Sequence, residues 1–319
     1  MDRTEQLIQA SLEGERYATA RLISMVEKGD AASEDIMRAI SPHTGKAYRI
    51  GITGPPGAGK SSLVNRLAGL FCHNHFSVGV IAVDPTSPFS GGSLLGDRIR
   101  MTLDGSKNEV FFRSMSAGTT PGGLSRTAVE TSKILDASGY RVIITETVGV
   151  GQSELDIARS SDTVLVVLVP ESGDQIQVMK AGLMEIADIF VINKSDRQGA
   201  EQLSGSVRDM VARPCCERHQ WVPPVFKTAA SLNEGIEELY QGLWSHHRYL
   251  QEDARMENRR KGQLKREFYH CLKEVFAEAC WAEFIKENDL DLLVNNLWEK
   301  KTDIRFFAEK TVDRWMKKS

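Results

Sequence analysis

A phosphate-binding loop is the feature that most constrains the fold of this chain. The apolar segment Tyr48 to Thr53 runs directly into the sequence GPPGAGKS at residues 54–61, and an apolar-periodic segment follows. In the pattern G-x-x-x-x-G-K-[ST], glycines let successive backbone N–H groups turn towards phosphate oxygens, and the next helix directs the positive end of its dipole at them. The pattern therefore predicts a strand–loop–helix unit that binds a polyphosphate.

The residues of this loop have expected roles in phosphate binding. Lys60 would bridge the β- and γ-phosphates, and the hydroxyl of Ser61 would ligate Mg²⁺. The predicted phosphate-contacting residues are Gly57, Ala58, Gly59, Lys60, Ser61 and Ser62.

Composition narrows the class of protein. The 319 residues are 41% hydrophobic, which is enough for a main domain with a sizeable core and an appendage. No apolar run approaches the roughly 20 residues that span a bilayer, and the charged N-terminus lacks the apolar core of a signal peptide. We expect a soluble, cytoplasmic protein. The net charge is −3 without a block of Lys or Arg, so neither a nucleic acid nor a membrane is favoured as a partner.

Short β-branched runs alternate with helical segments after residue 47. The runs are apolar without strict alternation, which suits strands buried on both faces. This order predicts an α/β fold of the P-loop NTPase type, with a doubly wound, mostly parallel sheet flanked by helices. The predicted strands are 49–53, 78–84, 109–115, 141–147, 162–169, 188–194 and 224–230.

Helical periodicity flanks the strand-rich region on both sides. We expect an N-terminal helical extension over residues 1–46, the P-loop domain over 47–247 and a C-terminal helical arm over 248–319. Apolar stripes in the arm pack on one another, on the sheet domain or on a second subunit, and their spacing leaves these alternatives open.

A second motif points to the base of the nucleotide. Asn193, Lys194 and Asp196 follow the apolar run DIFVI, at the end of a predicted strand. The Asp196 carboxylate can accept from N1–H and the exocyclic amine of guanine, and Asn193 can address the O6 and N7 edge. Adenine presents an acceptor at N1, so the carboxylate would stay unsatisfied. The motif thus favours GTP over ATP.

The next predicted strand ends in small residues. Backbone N–H groups of Ala229 and Ala230 lie where a contact with guanine O6 is expected, although a plain strand-to-loop transition explains the same residues.

The segment 141–154 is expected to form the catalytic side of the site. Glu146 ends a strand and would order Mg²⁺ or its water, and the N–H of Gly149 would sense the γ-phosphate. Most small GTPases carry Asp in place of this Glu, and Val150 stands where Ras-type enzymes place a water-orienting Gln. We therefore expect slow intrinsic hydrolysis that a partner or a dimer accelerates by supplying or repositioning a polar group. Gln152 is a candidate for that group, although a surface role is the favoured alternative.

Two further acidic residues lie in the long polar loop 83–101. Asp84 and Asp97 are expected to act on Mg²⁺ from its outer sphere or to position water, while helix capping is the alternative for each.

Five cysteines without a C-x-x-C pair argue against a disulfide scaffold. The cluster Cys72, His73 and His75 offers soft ligands, although its spacing matches no common zinc pattern. It motivates one alternative function, a metal-inserting maturation GTPase. A second alternative is an ATP-using kinase or transport energiser.

Several long strings resemble a known family. GPPGAGKSS, AVDPTSPFSGGSLLGDRIRM, ETVGVGQSE and GLMEIADIFVINKSD are similar to the MeaB/ArgK-type P-loop GTPases, which are chaperones of adenosylcobalamin-dependent acyl-CoA mutases related to metallochaperone GTPases. The resemblance covers nearly the whole chain. It implies a homodimer with a C-terminal dimerisation arm, and GTP-gated delivery of adenosylcobalamin to methylmalonyl-CoA mutase or a close relative, together with protection of that enzyme.

The resemblance also implies roles for individual residues. Asp84, Asp97 and Glu146 would surround the Mg²⁺ ion. The segment 171–180 would be a switch that relays the nucleotide state to the mutase, with Asp174 and Gln175 as candidates for the relay. Several relatives begin this segment with more glycines, where this chain has Glu171 and Ser172.

Overall fold

The computed structural model describes residues 2–84, 110–116, 126–147, 153–171, 182–212 and 221–316. The chain divides into two compact units, residues 1–260 and 261–319. The first unit contains a β-sheet with helices on both faces, and the described part of the second consists of helices.

Seven parallel strands form one sheet in the order β3-β2-β4-β1-β5-β6-β7. The doubly wound fold predicted from the alternating runs is confirmed, and each of the seven predicted runs contains a strand. The central strand β1, which precedes the phosphate loop, lies between β4 and β5. The strands are β1 (Tyr48–Thr53), β2 (Val78–Asp84), β3 (Phe111–Ser116), β4 (Val142–Thr147), β5 (Thr163–Leu168), β6 (Ile189–Asn193) and β7 (Val225–Thr228).

Helices precede, connect and follow the strands. Those of the first unit are α1 (Arg3–Leu12), α2 (Arg16–Glu27), α3 (Ser33–Ile40), α4 (Lys60–His73), α5 (Arg126–Ala137), α6 (Ser153–Ser160), α7 (Leu183–Ile186), α8 (Ala200–Ala212) and α9 (Ile236–Gln251). The helix α10 (Arg255–Glu287) begins in the first unit, and α11 (Leu290–Lys300) and α12 (Ile304–Met316) follow in the second.

Strands buried on both faces create separate cores. In β4, Ile144 packs with the apolar residues of α4 and α9, whereas its neighbour Ile143 packs on the opposite face with α5 and the N-terminal helices. Towards β6, that opposite face is covered by α6, α7 and α8. Successive strand residues point to opposite faces, so the continuous apolar runs read from the sequence are required by this layered arrangement.

The N-terminal helices share a core with the sheet. Leu22 and Ile36 are fully buried with Ile134 of α5. A buried hydroxyl cluster joins the same elements, because Ser11 and Thr19 both hydrogen-bond Ser138 Oγ, at 2.8 and 3.2 Å. The extension is therefore part of the body of the first unit.

Charged residues are buried at the amino ends of the strands, opposite the phosphate loop. Asp162, which is fully buried, accepts from Arg49 Nη2 at 2.7 Å and from Arg260 Nη2 at 2.6 Å. Burial raises the pKa of this carboxyl, but the hydrogen bonds from Arg260 and the charge of Arg49 outweigh it and leave the pKa at about 2. The carboxylate therefore stays ionised and joins the start of α10 to the start of β1.

A second acid at the same edge binds the adjacent arginine. Asp188 accepts two hydrogen bonds from Arg259, at 2.9 and 2.7 Å. His246 lies 3.5 Å from this carboxylate, and its Nδ1 hydrogen-bonds Thr163 Oγ1 at 2.8 Å. We call Asp162, Asp188, His246, Arg259 and Arg260 the basal cluster. Because Arg259 and Arg260 lie in the first two turns of α10, the cluster fixes the beginning of this helix to the sheet.

The second unit buries little of its apolar surface. Phe284 packs against the rings of Trp281 and Trp315, with centroids 5.8 and 5.5 Å away. Many other large apolar side chains are exposed: Leu264, Phe268, Tyr269, Leu272, Val275, Phe276, Leu292, Val294, Trp298, Ile304 and Phe306. Within the described ranges, no helix has the length and apolar character to cross a membrane.

The basal cluster makes the stability of the first unit depend on pH. Burial holds the pKa of His246 at about 4, although the charge of Asp188 opposes the shift. The folded state keeps the imidazole neutral while the unfolded state takes up a proton, so this contribution is complete above pH ~6.5 and lost as the pH falls towards 4. Between pH 7 and 4.5, the free energy of unfolding should fall by about 2 kcal/mol more in the wild type than in His246→Asn.

Urea denaturation followed by circular dichroism at both pH values measures this difference, and the constant cost of the substitution cancels. His73→Asn, at an exposed position on α4, serves as the matched control and should behave like the wild type. Parallel pH dependences for the wild type and His246→Asn would contradict the assignment.

Candidate nucleotide-binding site

The phosphate loop passes from β1 to α4 through glycines that no other residue can replace without strain. Gly54 has φ of 139°, and a Cβ atom there would lie 2.0 Å from the carbonyl oxygen of Val167 in β5. Gly59 has φ of 80°, and a Cβ atom there would lie 2.4 Å from Asn193 Nδ2. The loop can therefore lie directly against β5 and β6, as the glycine pattern of the sequence requires.

Lys60 is the first residue of α4 and is only 5% exposed. Its ammonium donates to the carbonyl oxygens of Gly54 and Pro55, at 2.8 and 2.9 Å. These bonds fold the side chain back across the loop, at the helix end where the dipole favours an anion. The role of Lys60 in phosphate binding stays a prediction.

Ser61 near the start of α4 and Glu146 near the end of β4 are in contact. Ser61 Oγ donates to Glu146 Oε1 at 2.7 Å, and Glu146 is 9% exposed near the end of β4. The parallel register places Glu146 beside Ile52 of β1, just before the phosphate loop. Because the hydroxyl proton points to the carboxylate, the lone pairs of Ser61 Oγ are oriented away from it.

The other residues predicted for the metal, the γ-phosphate, hydrolysis and the partner switch are described in part or lie outside the described residues. Asp84 is the last residue of β2, and its backbone pairs with Ser116, while its side chain is not described. Asp97, Gly149, Asp174 and Gln175 lie outside the described residues, as do Val150 and Gln152. Their expected roles stay predictions.

Asn193 connects the phosphate loop with the base loop, residues 229–234 after β7. Its Nδ2 donates to the carbonyl of Ala58 at 2.8 Å, and its Oδ1 accepts from Thr228 Oγ1 at 3.1 Å and from Ala230 N at 3.2 Å. The side chain is 2% exposed. In this arrangement Asn193 acts by holding the two loops together, and a direct contact with guanine O6 or N7 stays a prediction.

Asp196 and Lys194 lie on the surface beyond β6. Asp196 is exposed, and Lys194 has φ of 55°, an uncommon conformation for a residue with a side chain. The turn is fixed by hydrogen bonds from Ser195 N to Thr228 O and from Arg197 N to Lys194 O, both 3.0 Å. The Asp196 carboxylate is thus presented from an ordered turn next to the base loop.

The base loop closes on itself. Ala229 N donates to Glu234 O at 3.0 Å, and Ala230 N donates to Asn193 Oδ1. Both N–H groups predicted to contact guanine therefore have protein partners in this structure. From the other side, Arg66 of α4 donates to the carbonyl oxygen of Ala230 at 3.0 Å. Neither the Arg66 contact nor the bridge through Asn193 was predicted from the sequence.

The structure does not support the cysteine–histidine cluster as a metal centre. Cys72 is 3% exposed and packs in the core between α4 and the sheet, where burial raises the pKa of its thiol. His73 and His75 are exposed. Throughout the described part of the chain, no group of three His, Cys, Asp or Glu side chains is arranged to hold a metal ion.

Comparison with known proteins places the chain in a family. Residues 19–284 match the family model described as "Methylmalonyl Co-A mutase-associated GTPase MeaB". A putative GTPase of Pyrococcus abyssi is 43% identical over 302 residues, which cover 94% of this chain and 93% of the relative. The GTPase ArgK of Escherichia coli is 33% identical over 312 residues, 93% of each chain.

A solved structure has the same fold over nearly the same length. The crystal structure of an LAO/AO transport system kinase superposes with a TM-score of 0.71 at 26% identity, covering 98% of this chain and 97% of the other. The phosphate loop, the motif at Asn193 and the match over residues 19–284 agree: the chain belongs to the MeaB family of methylmalonyl-CoA mutase-associated GTPases.

Proposed function

We propose that this GTPase is a G-protein chaperone that gates adenosylcobalamin delivery to an acyl-CoA mutase and protects that enzyme. The mutase would be methylmalonyl-CoA mutase or a close relative. The description of the family supports a mutase as the partner. The observation that carries the proposal is the family match over residues 19–284, and the bridge through Asn193 adds a link between the phosphate loop at Ala58 and the base loop at Ala230.

A chaperone of this kind must convert the state of the nucleotide into a change elsewhere. We propose Glu146 for this task, because it hydrogen-bonds Ser61 and lies near the end of β4, a few residues before Gly149 in the sequence. A shift of the Ser61 hydroxyl towards a metal ion would alter the contacts of Glu146 and so reach this region. Asp174 and Gln175 remain the proposed relay to the mutase.

Mg²⁺ is part of the proposal, and the donors fit it. Ser61 Oγ and the Glu146 carboxylate are hard oxygen ligands 2.7 Å apart, the type that Mg²⁺ prefers. Ser61 would hold the ion directly, with Glu146, Asp84 and Asp97 acting from the outer sphere. When bound, the ion neutralises charge on the phosphates. The Val150 position lacks a water-orienting Gln, so we propose slow intrinsic hydrolysis that a partner accelerates.

We propose further that the chain forms a homodimer through its C-terminal arm, residues 248–319. Leu272 and Phe276 lie one helical turn apart on α10 and are 52% and 69% exposed. A unit of this size that leaves most of its large apolar side chains in water gains stability by burying them against another subunit. A second copy supplies an equal row of apolar side chains.

The two alternative functions lose support. A metal-inserting GTPase rested on Cys72 and its neighbouring histidines, and Cys72 is a core residue. An ATP-using kinase or transport energiser requires adenine recognition, which disagrees with the exposed carboxylate of Asp196 beside the base loop.

The central experiment measures nucleotide-dependent loading of a mutase. Apo-mutase encoded by the same genome is mixed with the chaperone and adenosylcobalamin, and the cofactor bound to the mutase is measured by absorbance with GTP, GDP or a non-hydrolysable GTP analogue. Lys60→Ala should abolish GTP hydrolysis and the nucleotide dependence of loading, because the ammonium that binds the β- and γ-phosphates is lost. Lys28→Ala, at an exposed position after α2, is the control and should behave like the wild type. Loading that ignores the nucleotide in the wild type would refute the chaperone proposal.

Base selectivity tests Asp196. Asp196→Asn should weaken GDP binding by about 1–3 kcal/mol, because one acceptor for the guanine N1–H and amine becomes a donor. Xanthosine diphosphate, which has a carbonyl in place of that amine, should gain affinity. Calorimetric titration of GDP, xanthosine diphosphate and ADP gives the three values. Unchanged GDP affinity in the variant, or a wild type that prefers ADP, would exclude the proposed guanine contact.

Oligomeric state tests the arm. The double variant Leu272→Glu with Phe276→Glu should be monomeric in light scattering at concentrations where the wild type is dimeric, since two charges would enter an apolar interface. Helicity by circular dichroism should be retained, because both side chains are exposed in the single chain and Glu is a good helix former. Lys273→Glu, exposed on the same helix, is the control. A wild type that is monomeric, or a double variant that stays dimeric, would rule out this interface.

A further inference from the structure

We infer that Arg66 is a positioning residue for guanine recognition: it fixes the base loop to the helix that begins at the phosphate-binding lysine. The inference rests on the proposed guanine site and adds to it a residue outside the nucleotide-binding motifs. Arg66 acts through the backbone of the base loop rather than by contact with the nucleotide.

The contacts of Arg66 are directed at two consecutive carbonyl groups. Its Nε donates to Ala230 O at 3.0 Å, and its Nη2 donates to Ser231 O at 3.4 Å. A guanidinium group presents its donors in a rigid plane, so two bonds to neighbouring carbonyls fix both the position and the orientation of this segment. A lysine at residue 66 would keep the charge but lose this fork.

The two sides of the base loop are held by different elements. Asn193 at the end of β6 accepts from Ala230 N, while Arg66 on α4 donates to Ala230 O. The peptide groups on either side of Ala230 are therefore each fixed by a side chain from a different element. These are the groups whose position decides whether an N–H can face the O6 atom of guanine.

The base loop also packs at this point, because Ala229 and Ala230 are buried and Ala230 belongs to the core that α4 and α9 share with the sheet. A cavity of about 340 Å³ separates α4 from the start of α9, and its lining includes Asn65, Arg66, Asn233 and Ile236. Arg66 lines this cavity, and its two hydrogen bonds connect α4 with the base loop in addition to the apolar contacts of the core. The side-chain oxygen of Asn65, which lines the same cavity, has no hydrogen-bond partner among the described residues.

The link made by Arg66 affects the choice between guanine and adenine nucleotides, because α4 also carries Lys60 and Ser61. A rigid link between α4 and the base loop sets the distance from the phosphate-binding groups to the base-binding groups. A guanine nucleotide uses both sets of contacts. An adenine nucleotide depends mainly on the phosphate contacts, so its binding should be indifferent to the link.

The test compares GDP with ADP in variants of residue 66. Dissociation constants come from competition against a fluorescent GDP analogue, with thermal denaturation confirming that each variant is folded. Arg66→Leu should lose about 5- to 10-fold in GDP affinity and leave ADP affinity unchanged, so that the ratio of the two dissociation constants falls by the same factor. Arg66→Lys should lie between Arg66→Leu and the wild type. Asn65→Ala is the matched control from the same helix and cavity, and should keep the wild-type ratio.

The outcomes distinguish a failure of the inferred role of Arg66 from a failure of the proposed guanine site. A wild type that binds ADP more tightly than GDP removes the guanine site itself. A wild type that prefers GDP, combined with an unchanged ratio in Arg66→Leu, overturns the role of Arg66 alone. Equal losses for both nucleotides also overturn it, because they would show a structural or purely electrostatic effect.

Discussion

One buried amide, that of Asn193, holds the nucleotide site together. Its hydrogen bonds join residues that are 135 and 37 positions away in the chain, Ala58 in the phosphate loop and Ala230 in the base loop. Gly59 makes the approach possible, since a side chain there would collide with the amide nitrogen. A polar group buried this deeply would be costly without partners, so its bonds favour a single arrangement of both loops.

Around that amide, the parallel sheet brings the described parts of the site to one edge. The phosphate loop follows β1, Glu146 stands near the end of β4, and the base loop follows β7. Parallel strands end at the same edge, so residues far apart in sequence become neighbours without special contacts. Most small GTPases have Asp at the position of Glu146. The Ser61–Glu146 hydrogen bond shows that the side chain of Glu, one methylene longer, reaches the hydroxyl from β4.

The meeting of parallel strand ends at one edge explains why several residues of the site could be predicted from the sequence. The runs at β4, β5 and β6 are apolar on both faces, and Lys60, Ser61 and Glu146 follow from the motif and from the strand ends. The position of Cys72 is explained by helical periodicity, because it falls on the buried stripe of α4 with Leu67 and Phe71. Arg66 carried no such signal, since an arginine in an amphipathic helix looks the same whether it faces water or a carbonyl group 164 residues away.

The basal cluster shows that the nucleotide-binding unit, residues 1–260, extends into α10. Its last two residues, Arg259 and Arg260, are already helical residues of α10, and they neutralise Asp188 and Asp162 beneath the sheet. A body cut at the preceding loop would leave Asp188 without its arginine and the buried Asp162 with Arg49 as its remaining arginine partner. The first turns of α10 are thus inseparable from the GTPase body, and any exchange of arms between relatives must keep the junction downstream of residue 260.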